Sequence, residues 1–183
     1  MSADRVDGAL ACRIRKARPD DADAACALLR ESIVRSFAAD HRHDPAVLER
    51  WLANKTAATV GAWIRSPSNH CVVALIDDVV AGVAILTRKG KIGLLHVHPD
   101  RLGQGIGTVL LQALEAQAAG WGLASVRVDS VRSVQPFYAR HGYIDGAGFT
   151  TMYGIDAVFM ARRVRSNARH RPTCACVPAC ASS

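Results

Sequence analysis

The period at which apolar residues recur changes along this chain, and the changes mark out its elements. Residues 13–17 (RIRKA) alternate and predict a short first strand. Helical spacing follows. Pro19 and Asp20 open a helix, with Asp20 as N-cap, Asp23 three residues on, and Ala25, Leu28, Leu29 and Ile33 along one face. A second helix starts with Asp44 as cap and Pro45 as first helical residue and holds Val47, Leu48, Trp51 and Leu52. A third is predicted from about Thr56 to Ile64. From His70 the period falls to two. HCVVALI, a turn at Asp77 and Asp78, VVAGVAIL, a turn at RKGK, and IGLLHV read as an antiparallel meander joined by short loops.

The last strand of the meander, with Leu94, Leu95 and Val97, runs through Pro99 into a turn with glycines at 103, 105 and 107. A helix follows, apolar at 107, 110, 111, 114 and 118 and ended by Gly120 and Gly122. SVRVDS is the next strand, parallel to its predecessor because a helix crosses between them. In SVQPFYARHGY, Pro136 near the start, Phe137 and Tyr138 inside and Gly142 at the end predict a short helix. A closing strand pair covers about 143–149 and 155–164. The predicted class is α/β (α+β): a mixed sheet of six to seven strands with a central antiparallel meander, parallel fourth and fifth strands, and flanking helices. No internal repeat is visible.

Strand, glycine turn and helix together suit an anion. The first backbone N–H groups of a helix lack intrahelical partners, the helix dipole is positive at that end, and glycine lets phosphate oxygens approach the main chain. GQGIGT lacks the spacing and acidic residue of a dinucleotide fold and the Lys of a P-loop. The alternative is a glycine turn that merely lets a strand enter a helix.

Length and composition narrow the setting. At 183 residues the chain suits one domain, expected over 12–165, with 1–11 a disordered N-terminus and 166–183 a flexible tail. Half the residues are hydrophobic, yet no apolar run approaches the roughly 18–20 residues that cross a bilayer. MSADRVDGALACRIRK has no cationic start followed by an apolar core, so a soluble cytoplasmic protein is expected. The net charge of +7 is concentrated late in the chain. Arg162, Arg163, Arg165, Arg169 and Arg171 follow the last acid, Asp156, and leave 18 basic against 16 acidic residues before them. A basic end of this kind reads as a solvated appendage rather than a nucleic-acid arm. Cys12, Cys26 and Cys71 read as reduced thiols; Cys174, Cys176 and Cys180 cluster without a clear fourth metal ligand, so no metal is expected.

The arrangement V-x-P-x-x-x-G-x-G-x-G before an amphipathic helix resembles the acyl-CoA pyrophosphate loop of the GCN5-related N-acetyltransferases (GNAT). The family pattern of Arg or Gln, two residues, Gly, one residue, Gly or Ala maps to Leu102, Gly105 and Gly107, departing at Leu102. A second resemblance lies about 30 residues on, where Phe137, Tyr138, Gly142 and Tyr143 match a Phe-Tyr pair followed by Gly-Phe or Gly-Tyr. An Asn that often precedes the Phe by six residues is Val131 here, so its pantetheine contact is not carried over. VLERWL before the sheet and VDS ahead of PFY are similar to small bacterial acetyltransferases of unassigned acceptor.

The resemblance implies an acetyl-CoA-dependent N-acetyltransferase acting on a primary amine of a small molecule or peptide. It implies that the fourth and fifth strands splay and admit the pantetheine arm between them. Leu95, His96 and Val97 would then offer backbone groups, and Leu102, Gly103, Gln104, Gly105, Ile106, Gly107 and Thr108 would hold the pyrophosphate. Tyr138 would donate a proton to the departing thiolate, and could instead be a packed core ring. His96, titrating at about 6.5 in water, is the leading candidate to deprotonate the acceptor, with Asp129 and Glu31 behind it. Trp51, His41 and His43 are expected along the acceptor pocket, or else as core and surface loop. Neither membrane nor nucleic acid is expected as a partner, and a homodimer is left open. The competing reading is a non-catalytic acyl-CoA-binding module.

Overall fold

The computed structural model describes residues 12–164. The expectations for residues 1–11 and for the Arg- and Cys-bearing segment from 165 onward lie outside the described residues. Seven strands form one sheet in the order β1-β2-β3-β4-β5-β7-β6. In chain order the elements are β1 (Arg13–Lys16), α1 (Ala22–Ser36), α2 (Ala38–His41), α3 (Pro45–Leu52), α4 (Ala57–Arg65), β2 (Asn69–Ile76), β3 (Val79–Thr87) and β4 (Lys91–Val97). They continue with α5 (Ile106–Gly120), β5 (Ser125–Val131), α6 (Gln135–Arg140), β6 (Ile144–Thr150) and β7 (Asp156–Arg163). Neighbouring strands are antiparallel except β4 and β5, which are parallel as the helix crossover requires.

The apolar runs of β2 and β3 follow from burial on both faces. Val72, Ala74, Ile76, Ala84 and Leu86 pack against α5, through Ile106, Leu110, Leu111, Leu114 and Ala118. Cys71, Val73, Leu75, Val83 and Ile85 pack on the opposite face against Leu28, Leu29 and Ile33 of α1 and Val60 and Ile64 of α4. No helix among the described residues is long and apolar enough to cross a membrane.

Helix starts mostly follow the sequence. Asp44 accepts from the N–H groups of Ala46 and Val47, and Thr56 accepts from that of Thr59. The expected cap at Asp20 is a correction. A 3-10 turn over Pro19–Asp21 precedes α1, and neither Asp20 nor Asp21 caps the helix with its side chain. Asp21 is held by both Nη atoms of Arg15 at 2.7 Å and by the Arg18 N–H at 2.6 Å, and these stronger charge-assisted bonds occupy its oxygens.

The arrangement that places the site is in the middle of the sheet. β4 pairs with β5 only at Lys91↔Arg127 and Ile92↔Val128, near the start of both strands. On its other side, Ile92 of β4 faces Leu86 of β3 while Leu94 faces Ile85, so Gly93 is an extra residue. Such a bulge bends its strand and increases the local twist. β4 therefore leaves β5 after Ile92, while β3 still holds it as far as Val97 and β7 still holds β5 as far as Val131.

Helix α5 sits tightly on β3 beside this parting. A Cβ added at Gly82 would lie 2.8 Å from Leu110 Cδ1, 3.1 Å from Ile106 Cγ2 and 3.2 Å from the His96 carbonyl oxygen. Gly82→Ala is expected to lower the unfolding free energy by about 1–3 kcal/mol through overpacking, measured by urea denaturation.

Candidate active site

Two cavities open where β4 and β5 part. The first, about 440 Å³, lies over the glycine turn and the start of α5 and is lined by Leu95, His96, Val97, Leu102, Gly103, Gly105, Ile106, Gly107, Thr108 and Tyr138. These ten were expected from the family resemblance; Gln104, expected with them, does not line the cavity, whereas Ser32, Ser36, Phe37, Ser133, Val134 and Phe137 also do. The second, about 460 Å³, lies between β4, β5 and helix α3 and includes Trp51 and Asp129. Phe37, Leu95, His96, Val134 and Tyr138 line both, so the cavities meet at these side chains.

The glycines of the turn serve different ends. Gly103 and Gly105 have φ of +78° and +80°, the left-handed region that favours glycine, and a Cβ at either would meet no heavy atom within 4 Å. The main chain there faces open space. Gly107 is different: a Cβ there would lie in ordinary contact with the Phe137 ring, at 3.4 Å, so this position faces α6 and not open space. No side chain caps α5, whose N-cap is Gly105, so its first N–H groups remain available to an anion. Arg101 and Arg140 line the same cavity and add positive charge. Neither was singled out from sequence as a ligand-binding group, since an arginine beside a loop resembles any solvated one.

Tyr138 is 4% exposed, and burial raises its phenol well above the ordinary value, keeping the proton on the oxygen. Its ring is edge-on to Phe137 and Tyr143, with centroids at 5.1 and 5.4 Å. The ring thus packs in the core while its residue borders both cavities.

His96 requires a correction. Its Nδ1 lies 3.0 Å from Ser32 Oγ, and its ring packs 5.2 Å from that of Phe37. Burial, with a smaller contribution from the Lys55 charge, lowers its pKa to about 3. The imidazole is neutral at physiological pH and a weaker base than the near-neutral one expected from its sequence position.

The other acceptor-side candidates separate. Asp129 lines the second cavity, its carboxylate paired with Lys91 Nζ at 2.5 Å. Trp51 is core and cavity wall at once, edge-on to Phe37 and stacked on Tyr153. His41 lines a separate cavity with Asp40 and Arg132, and its Nε2 lies 3.3 Å from the Val34 carbonyl oxygen. His43 is exposed beside it. Glu31 lines none of the cavities described; it pairs with Arg35 at 2.5 Å and approaches His98 at 3.3 Å.

Sequence reasoning missed Lys55, Asn54, Trp63 and Tyr153, which also line the second cavity. Lys55 lies in the polar stretch between α3 and α4, where nothing in the pattern distinguishes it from a solvated lysine.

The comparisons with known proteins agree with this geometry. A family model described as an acetyltransferase (GNAT) domain matches residues 38–164. The chain belongs to the GNAT acetyltransferase family. Among solved structures, a GCN5-related N-acetyltransferase from Rhodopseudomonas palustris is 27% identical, covering 82% of this chain and 94% of its own at a TM-score of 0.73. PaiA N-acetyltransferase from Thermoplasma acidophilum, solved in complex with coenzyme A, is 19% identical over 84% of this chain and 99% of its own, at a TM-score of 0.68. YncA from Salmonella typhimurium, solved with its cofactor acetyl-CoA, is 20% identical over 86% of this chain and 96% of its own, at 0.65. The last two bear on the fold alone. No curated protein matches the chain by sequence.

The lowered basicity of His96 in this GNAT chain has a consequence for stability. Its folded pKa lies below the unfolded value of about 6.5, so the unfolded chain takes up a proton that the native state resists. The stabilisation is present above pH 6.5 and is lost as pH falls toward 3. Urea denaturation at pH 7.5 and 4.5 should show a smaller loss for His96→Gln than for the wild type.

Proposed function

We propose that this protein transfers an acetyl group from acetyl-CoA to a primary amine of a small molecule or peptide, by direct attack with both substrates bound. The observation that carries the reading is the meeting of two cavities at Leu95, His96 and Tyr138, one beside an uncapped helix start with two arginines and the other walled by aromatic rings.

The residues around the first cavity fit the coenzyme. The open main chain at Gly103 and Gly105, the free N–H groups of α5 and the side chains of Arg101 and Arg140 suit a diphosphate. The parted stretch of β4, residues 94–97, leaves backbone groups on the side facing β5 that an extended pantetheine arm pairs with as an added strand. Bound acetyl-CoA supplies the thioester.

From there the protein orients groups and moves protons. Backbone N–H groups near Val97 polarise the acyl carbonyl. Tyr138, kept protonated by burial, donates its hydroxyl proton to the sulfur as the thiolate leaves. The acceptor's proton leaves through the second cavity, where Asp129 is the one carboxylate among the described lining residues. His96 fixes the junction through Ser32 and Phe37.

Thiol release from acetyl-CoA over a panel of amines tests the proposal. Tyr138→Phe keeps the ring and removes the proton, so kcat is expected to fall about 100-fold while calorimetric affinity for coenzyme A stays within about threefold. Binding of acetyl-CoA with no turnover on any amine would identify an acyl-CoA-binding module instead. Gly105→Val forces a branched residue into the left-handed region and fills the open face of the turn; its calorimetric affinity for coenzyme A is expected to drop about tenfold or more.

A further inference from the structure

Lys55 is the charged side chain in the second cavity that the foregoing chemistry does not use. It is 8% exposed, and its Nζ donates to the Trp51 carbonyl oxygen at 3.1 Å and to Asn54 Oδ1. An ammonium has three N–H donors, so these bonds leave one free among the described residues. The Nζ also lies 5.2 Å from the centre of the Tyr153 ring and 6.0 Å from that of Trp63. Among the described residues that line this cavity, the other ionised groups are Lys91 and Asp129, and they pair with each other. No carboxylate among the described residues pairs with Lys55.

A cation out of water with no counter-charge is unfavourable, and aromatic faces offset only part of the loss. A structural role accounts for some of the geometry: Lys55 reaches back to the last turn of α3, where the helix dipole favours a cation. A lysine on the surface would do this without giving up its hydration. Here the ammonium lies by the Trp63 and Tyr153 rings beside about 460 Å³ of open cavity. The arrangement suits an anion that arrives with the ligand.

We propose that the acceptor is an amino acid with an apolar or aromatic side chain, whose carboxylate seats on the Lys55 ammonium while its amine lies toward Leu95 and Tyr138. The proposal rests on the acetyl-transfer reading for the position of the amine. Its carboxylate and apolar body are argued from Lys55 and the surrounding rings alone. Lys55 is then a binding residue that selects the acceptor by charge.

Matched pairs of amines that differ only by the carboxylate test this: phenylalanine against phenethylamine, and leucine against 3-methylbutylamine, each with acetyl-CoA and wild-type protein. The carboxylated member is expected to have at least a tenfold higher kcat/KM, mainly through KM. Lys55→Met is expected to reduce that preference to under threefold by losing the amino acid and sparing the amine, with a melting temperature at or above that of wild type. Lys55→Arg, which keeps the charge, should retain part of the preference. Equal use of both members by wild type, or equal losses on both in Lys55→Met, would overturn the proposal.

A second arm needs no turnover. Titration of N-acetylphenylalanine into the protein, followed by tryptophan fluorescence, should saturate in wild type and require at least tenfold more ligand in Lys55→Met. Saturation without acetylation of any amine would retain the anion seat and reject acetyl transfer. Absence of saturable binding in wild type would reject the seat, whatever the acetylation assay gives.

Discussion

Strands β4 and β5 share a short parallel ladder before they part, and the location of that ladder determines what the rest of the sheet can do. Both strands remain held on their outer sides, β4 by β3 through Val97 and β5 by β7 through Val131. The opening is therefore a fixed seam within a closed structure, unlike a frayed edge. Gly93 is its local cause, because the extra residue bends β4 away just past Ile92. Backbone groups along such a seam want partners. A ligand that lies in the seam supplies them, so the conformation that weakens the sheet also makes the site.

The titratable groups His96, Tyr138 and Lys55 around the cavities share one electrostatic condition. Burial lowers the pKa of His96, raises that of Tyr138 and lowers that of Lys55 to about 8. In each case loss of water disfavours the charged form. An environment that does this also strengthens the dipoles and hydrogen bonds directed into it, since less solvent screens them. Positive charge is kept to the two ends: Arg101, Arg140 and the start of α5 at one, Lys55 at the other. Between them lie side chains that are neutral at physiological pH. A diphosphate on one side and a neutral reaction centre in the middle agree with this distribution.

Aromatic packing links the wall of the second cavity to the place where the two cavities meet. Phe37 touches Trp51 on one side and His96 on the other, with ring centroids at 5.6 and 5.2 Å. Trp51 continues to Tyr153 at 6.3 Å. Chain segments far apart in sequence are thereby fixed around one volume. Residues that could be read separately as core or as pocket are both at once, because the cavity is bounded by the same rings that close the core.

Much of this protein is set by local sequence. The meander, the parallel crossover, the glycine turn and the short helix carrying Tyr138 follow from periodicity, turn residues and caps such as Asp44 and Thr56, each of which acts within a few residues of itself. The strand, turn and helix start that form one side of the first cavity are consecutive in the chain, and the family resemblance marked them there; Ser32, Ser36 and Phe37 close it from a distant segment. The second cavity is different. Its wall gathers α3, the segment holding Lys55, β4, β5 and the stretch around Tyr153, and only packing decided which of their side chains meet. Asp20 lost its capping role in the same way, because Arg15 from β1 engages Asp21 and a 3-10 turn intervenes. Glu31 and His41 were directed elsewhere, and His96 lost its expected basicity through burial that no neighbouring residue announces. Sequence determines what each segment forms locally; hydration and charge at a site depend on what the whole fold encloses, and that is settled only when the elements pack.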